Sequence, residues 1–138
     1  MDRLVMNDLV KWKNKSNRKP LMLLGVRQCG KTYIAKQFGK EYFENVAYFN
    51  FEGNKALSSL FDYNLDVNRI ISELNSFVAG ERIVPGETLL IFDEIQSSPN
   101  AITSLKYFCE DMPRLHIIAA GSLLGVSLNR EELSFPVG

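Results

Sequence analysis

The sequence predicts an α/β domain in three layers, a mainly parallel sheet with helices on both faces. Two observations predict it. Short, mainly apolar segments of strand length at residues 21–26, 46–51, 89–92 and 115–120 alternate with segments whose apolar residues recur at helical spacing. The 138 residues, 46% of them apolar, suffice for one domain with a real core and are too few for two comfortable ones. Strands alternating with helices imply right-handed crossovers between parallel neighbours.

In chain order, residues 2–14 place Val5, Leu9 and Trp12 on one helical stripe, with Asp2, Asp8, Lys11 and Lys13 elsewhere. Residues 1–19 therefore form a lead-in helix and a basic segment that breaks it. The run 21–26 is a buried strand, followed by a glycine-containing turn and a helix over about 31–40. The second strand, 46–51, leads to helical pieces within 56–79, the better one starting near Asp66 with Val67, Ile70, Ile71 and Leu74. Gly80 and Pro85-Gly86 close that region. The third strand runs into Asp93-Glu94, and Ser98-Pro99 has the form of an N-cap followed by proline at the first helical position. Ile102, Leu105, Phe108, Cys109 and Met112 then form a stripe that assigns Cys109 to core packing. The fourth strand ends at Gly121-Ser122. No repeat or low-complexity segment interrupts this order.

Sixteen basic and sixteen acidic side chains cancel over the whole chain. By segment they do not: residues 1–40 carry ten Lys/Arg and two Asp/Glu, net +8, and residues 41–138 carry six and fourteen, net −8. An anionic ligand near the first third is compatible with that distribution. Cys29 and Cys109 lack the spacing of a zinc site or a disulfide framework, so a reducing cytoplasm fits best. The N-terminus lacks a signal peptide's apolar stretch. The longest uncharged segment, 15 residues from 115 to 129, contains His116 and two glycines and falls short of the roughly 20 apolar residues of a membrane span.

Directly after the first strand stands Gly25-Val26-Arg27-Gln28-Cys29-Gly30-Lys31-Thr32, which meets every fixed position of the phosphate-binding pattern G-x-x-x-x-G-K-[ST]. The context, a strand before and a helix after, is the one that pattern requires. Its glycines allow the backbone amides and the helix N-terminus to face a phosphate chain. Lys31 supplies a mobile charge for the β- and γ-phosphates, and the Thr32 hydroxyl is placed to ligate Mg²⁺.

The second half of such a site is an acid at the end of another buried strand, and Leu89-Leu90-Ile91-Phe92-Asp93-Glu94 supplies it. Asp93 would hold the Mg²⁺ shell, because a hard cation takes oxygen ligands. Glu94 would act as the base that polarises a water for attack on the γ-phosphate. A GTPase would show a glycine shortly after the aspartate and an N-K-x-D segment, and the sequence has neither. A small-molecule kinase remains open. Ser122 either senses the γ-phosphate from the end of the fourth strand or belongs to an ordinary turn.

Taken together, GVRQCGKT, YFNFE at 48–52, LLIFDEIQ at 89–96 and IIAAGS at 117–122 resemble the AAA-type ATPases of bacteria and archaea. In that family the nucleotide domain precedes a C-terminal domain of uncharacterised function. The resemblance covers nearly the whole chain and implies a P-loop NTPase fold of the additional-strand type, with sheet order 5-1-4-3-2. It also implies Mg²⁺-dependent ATP hydrolysis in the cytoplasm. Carried over by residue, it assigns phosphate binding to 25–32, metal binding to Thr32 and Asp93, water activation to Glu94 and sensing to Ser122. Arg27 in the loop contacts an anion or sits solvated. Glu52 lies near the nucleotide or simply closes a turn.

Only four of the five expected strands are legible before Phe135-Pro136-Val137-Gly138, where the next should begin. The expectation is an N-terminal ATPase piece of a longer protein, without the second domain and without a clear arginine finger, Arg130 being the nearby arginine. The first strand would then be an apolar sheet edge open to self-association. Three functions stay in play: an ATPase, a nucleotide-gated binding module with little turnover, and a phosphotransferase. Lys11, Lys13, Lys15, Arg18 and Lys19, with Trp12 among them, either touch a nucleic-acid backbone or form a solvated tether around a core anchor. Cys29 is a loop filler or a reactive thiol. His116 stands without a partner in sequence that would make it catalytic.

Overall fold

Four parallel strands, β1 (Leu21–Leu24), β2 (Asn45–Asn50), β3 (Thr88–Asp93) and β4 (His116–Gly121), pair in the order β1-β4-β3-β2. This computed structural model describes residues 2–16, 18–24, 30–78 and 82–121. Within them the sheet reproduces the 1-4-3-2 part of the expected order. The expected fifth strand, Gly80, Ser122 and Arg130 fall outside the described residues, as do positions 25–29.

β3 and β4 occupy the centre and are buried along their whole length, which is why the interiors of both, residues 89–92 and 117–120, read as apolar runs. On the edge strand β2 the alternation shows: Ala47 and Phe49 are buried, whereas Val46 and Tyr48 are only partly so. Successive strand residues point to opposite faces, so the sheet separates two cores. One face packs Leu21, Leu23, Leu89, Ile91 and Ile118 against α1 (Asp2–Lys13) and α2 (Lys31–Tyr42). The other packs Phe49, Leu90, Phe92, Ile117 and Ala119 against α3 (Lys55–Tyr63), α4 (Val67–Leu74) and α5 (Pro99–Asp111).

Local chemistry starts these helices. Asn54 caps α3 by accepting from the Leu57 amide at 3.0 Å, and Asp66 caps α4 by accepting from Asn68 at 3.1 Å. The α4 stripe Val67, Ile70, Ile71 and Leu74 is buried as its spacing predicts. α5 begins with Pro99 at its first turn, but the Ser98 side chain makes no cap hydrogen bond; its carbonyl accepts from Ala101 at 2.9 Å instead. The buried arc of α5 is Ala101, Ser104, Leu105 and Phe108. Cys109 is therefore not in the core as expected: it is half-buried, with its thiol 4.0 Å from the Arg18 carbonyl.

The basic lead-in is tied to the domain. Trp12 is 4% exposed and donates its indole N–H to the Lys19 carbonyl at 2.6 Å. The Arg18 guanidinium donates to the carbonyls of Lys13 at 3.2 Å and Pro113 at 2.8 Å. Trp12 is thus a core anchor, and Arg18 holds backbone. No helix among the described residues is long and apolar enough to cross a membrane.

Candidate functional site

Strand pairing brings the polar strand ends together. Leu24 pairs with Gly121 and Asn50 with Asp93, so all four strands finish at one edge of the domain, where loops of a parallel sheet collect. Gly30 immediately precedes α2 with a φ of 81°, a left-handed conformation that costs a side-chain-bearing residue about 1 kcal/mol or more. Lys31 opens α2, and its side chain lies outside the described residues. Thr32 sits in the first turn, on the side of α2 that faces the sheet.

Asp93 is the hub. It is 7% exposed, and its carboxylate accepts three hydrogen bonds from three different elements. Oδ2 accepts from the Thr32 hydroxyl at 2.8 Å and from the Tyr48 phenol at 2.5 Å; Oδ1 accepts from the Glu94 amide at 2.9 Å. A buried charge needs such donors to offset lost hydration. Burial, then the hydrogen bond to Asp93 and its charge, push the Tyr48 phenol well above its ordinary range, so it remains a neutral donor. The Lys36 ammonium lies 3.9 Å over the Tyr48 ring.

Glu94 takes a left-handed backbone conformation, φ 53° and ψ 45°, the one non-glycine positive φ among the described residues. It leads into a single 3-10 turn, Ile95–Ser97, and its Oε1 accepts from Gln96 Nε2 at 2.7 Å. Glu52 is exposed in the turn after β2, where its amide donates to Asn50 Oδ1 at 2.8 Å.

The structure thus brings Thr32, Asp93 and Glu94 together, while residues 25–29 and Ser122 lie outside what it describes. Tyr48 was missed in the sequence. The available signal was alternation: Val46, Tyr48 and Asn50 share the β2 face opposite Ala47 and Phe49, and Tyr48 is the partly polar member nearest the strand end.

The donor set suits Mg²⁺. Thr32 Oγ1 and the Asp93 carboxylate are hard oxygens within 2.8 Å of each other. No group of three His, Cys, Asp or Glu side chains forms a metal cage among the described residues. A cation here would take its remaining ligands from water and phosphate, which is how Mg²⁺ is usually held.

His116 occupies the opposite end of the sheet. Its ring stands edge-on to Trp12 at 5.6 Å and to Phe43 at 5.0 Å, and Nε2 lies 3.4 Å from the Lys13 carbonyl. Burial first, then the Arg18 charge, bring its pKa down to about 4. It is a neutral packing residue at the start of β4, beside Leu89 at the far end of β3 from Asp93.

A family model described as an AAA domain matches residues 17–136. The solved structure of C. elegans PCH-2 is similar, with a TM-score of 0.51 and 14% identity, over 98% of this chain and 41% of that one. At that identity the likeness concerns the fold. The chain thus spans less than half of that structure's length. No curated protein matches.

Proposed function

The chain belongs to the AAA domain family, and from that premise we propose that it binds ATP with Mg²⁺ at the carboxyl end of its sheet and hydrolyses it. The observation that carries this proposal is the 2.8 Å contact between Thr32 and Asp93, residues from the first helix of the phosphate-loop unit and from the strand two places away in the sheet. That contact pairs the hydroxyl of the loop pattern with the acid such a site needs.

In this proposal the backbone of residues 25–30 and the start of α2 receive the phosphates. Lys31 neutralises charge on the β- and γ-phosphates, and Thr32 with Asp93 holds the cation. Mg²⁺, when bound, draws negative charge off the phosphate oxygens. Glu94 accepts a proton from the attacking water, whose oxygen adds to the γ-phosphorus as the bond to the β,γ-bridging oxygen breaks. Ser122 orients that water or senses the γ-phosphate. A cytoplasmic setting belongs to the same proposal.

Glu94→Gln tests it. Nucleotide binding is expected to survive while phosphate release falls about 100-fold or more. A wild-type protein that binds ATP and releases no phosphate would instead be a nucleotide-gated module. Phosphate appearing on an acceptor would make it a phosphotransferase.

A further inference from the structure

We propose that Gln96 is a positioning residue for Glu94, holding its carboxylate for the water it deprotonates. This rests on the assignment of Glu94 as the base. Three observations converge on the Gln96 amide. Its Nε2 donates to Glu94 Oε1 at 2.7 Å. Its Oε1 lies against the backbone of Gly121, so close that a Cβ at that glycine would stand 2.5 Å away. The same Cβ would come within 3.6 Å of Ile95 Cγ2, and Ile95 is fully buried. The amide is therefore wedged between the Glu94 carboxylate and the last residue of β4, with its turn anchored by Ile95.

The backbone is shaped for this contact. A left-handed residue at position 94 turns the chain sharply after β3, and the 3-10 turn brings residue 96 back beside residue 94. For glutamate that conformation is strained, and it persists only where surrounding contacts over-determine it. A glutamate at a strand end samples several rotamers. The N–H···O⁻ bond from Gln96 to Oε1 restricts that choice and orients the carboxylate. Such a base oriented by a third group is the arrangement that general-base chemistry uses. An amide carries no charge of its own, so it orients the carboxylate without pairing it.

Gly121 adds a link between strands. It pairs with Leu24, the last residue of β1 before the phosphate loop. A side chain at 121 would expel the amide, so the glycine is the floor of the slot in which Gln96 sits.

The test compares Gln96→Met, which keeps size and removes the donor, with wild type, Glu94→Gln and the double variant. Phosphate release at saturating Mg-ATP and equilibrium binding of a fluorescent ATP analogue are measured for each. The expected result is a kcat about 10-fold lower in Gln96→Met, with analogue affinity unchanged. In the Glu94→Gln background, Gln96→Met is expected to cause no further loss, because it acts through Glu94. A raised or unchanged kcat, a matching loss of affinity, or an additive loss in the double variant would each overturn the proposal. If Glu94→Gln itself leaves turnover intact, the base assignment fails first, which separates the two failures. Independently of turnover, the Gln96 side-chain amide protons are expected downfield in NMR spectra and shifted back by Glu94→Ala. Protons unaffected by that substitution overturn the contact.

Discussion

Asp93 and His116 are both 7% exposed, and they lie at opposite ends of neighbouring strands. Equal burial makes them a controlled comparison. The Asp93 carboxylate collects donors from α2, β2 and the residue after β3: two hydroxyls and a backbone amide. His116 is enclosed by aromatic edges from α1 and from Phe43 after α2, with one long contact to a carbonyl. Burial of a polar group therefore does not by itself distinguish the two ends; the number and origin of its polar partners do. At the amino end of the sheet the polar atom is kept neutral and walled in. At the carboxyl end polar groups are pooled.

The largest effect expected at the amino end is on stability alone. Trp12→Ala removes a buried indole that touches Phe38 and His116 and holds the Lys19 carbonyl. A loss of about 3–5 kcal/mol is expected by chemical denaturation. Nucleotide bound per folded molecule should not change. A variant that folds normally and binds nucleotide poorly would break the division between the two ends.

A somewhat smaller effect concerns pH. His116 has a pKa of about 4 in the folded chain against 6.5 for an ordinary histidine. Above 6.5 both states carry it neutral, and it adds no pH dependence. Between 6.5 and about 4 the unfolded chain binds the proton and the folded chain does not, so stability falls as pH falls, by up to ~3 kcal/mol, and levels off below about 4. Urea midpoints across that range should slope less in His116→Phe than in wild type. Parallel slopes would remove His116 as the cause.

What was legible in the sequence follows the same physical line. β3 and β4, buried on both faces, write themselves as apolar runs, and the α4 stripe writes itself at helical spacing. Thr32 and Asp93 were legible because a phosphate loop fixes residue types at fixed spacing and an acid stands at a strand end. Tyr48 was not, because its value depends on β2 pairing with β3, a tertiary register that no local pattern states. Gln96 was hidden for another reason: its reach to Glu94 depends on a left-handed backbone at a residue type that rarely adopts one. Cys109 was misplaced because two small residues, Ala101 and Ser104, complete the true α5 arc beside Leu105 and Phe108. Ser104, polar by name, is fully buried and satisfied by donating to the Ala101 carbonyl at 2.6 Å.

The smallest expected effect is the sharpest probe of the comparison. Tyr48→Phe leaves the ring, and with it the Lys36 contact, while deleting one of the two donors on Asp93 Oδ2. A hydrogen bond to a charged group contributes about 1.5–3 kcal/mol, part of which the remaining Thr32 and Glu94 donors recover. On the proposed Mg²⁺ site, affinity for Mg-ATP should fall about 5–10-fold while affinity for metal-free ATP stays constant, because the phenol orients only the carboxylate that holds the cation. Nucleotide titrations with Mg²⁺ and with a chelator separate the two. Folding stability should change by less than about 1 kcal/mol, since no cavity is made. If instead stability drops by kilocalories and the two affinities move together, Tyr48 is supporting the fold as Trp12 and His116 do. Asp93 would then be a buried polar residue of the same kind as His116, held by its neighbours and serving no cation.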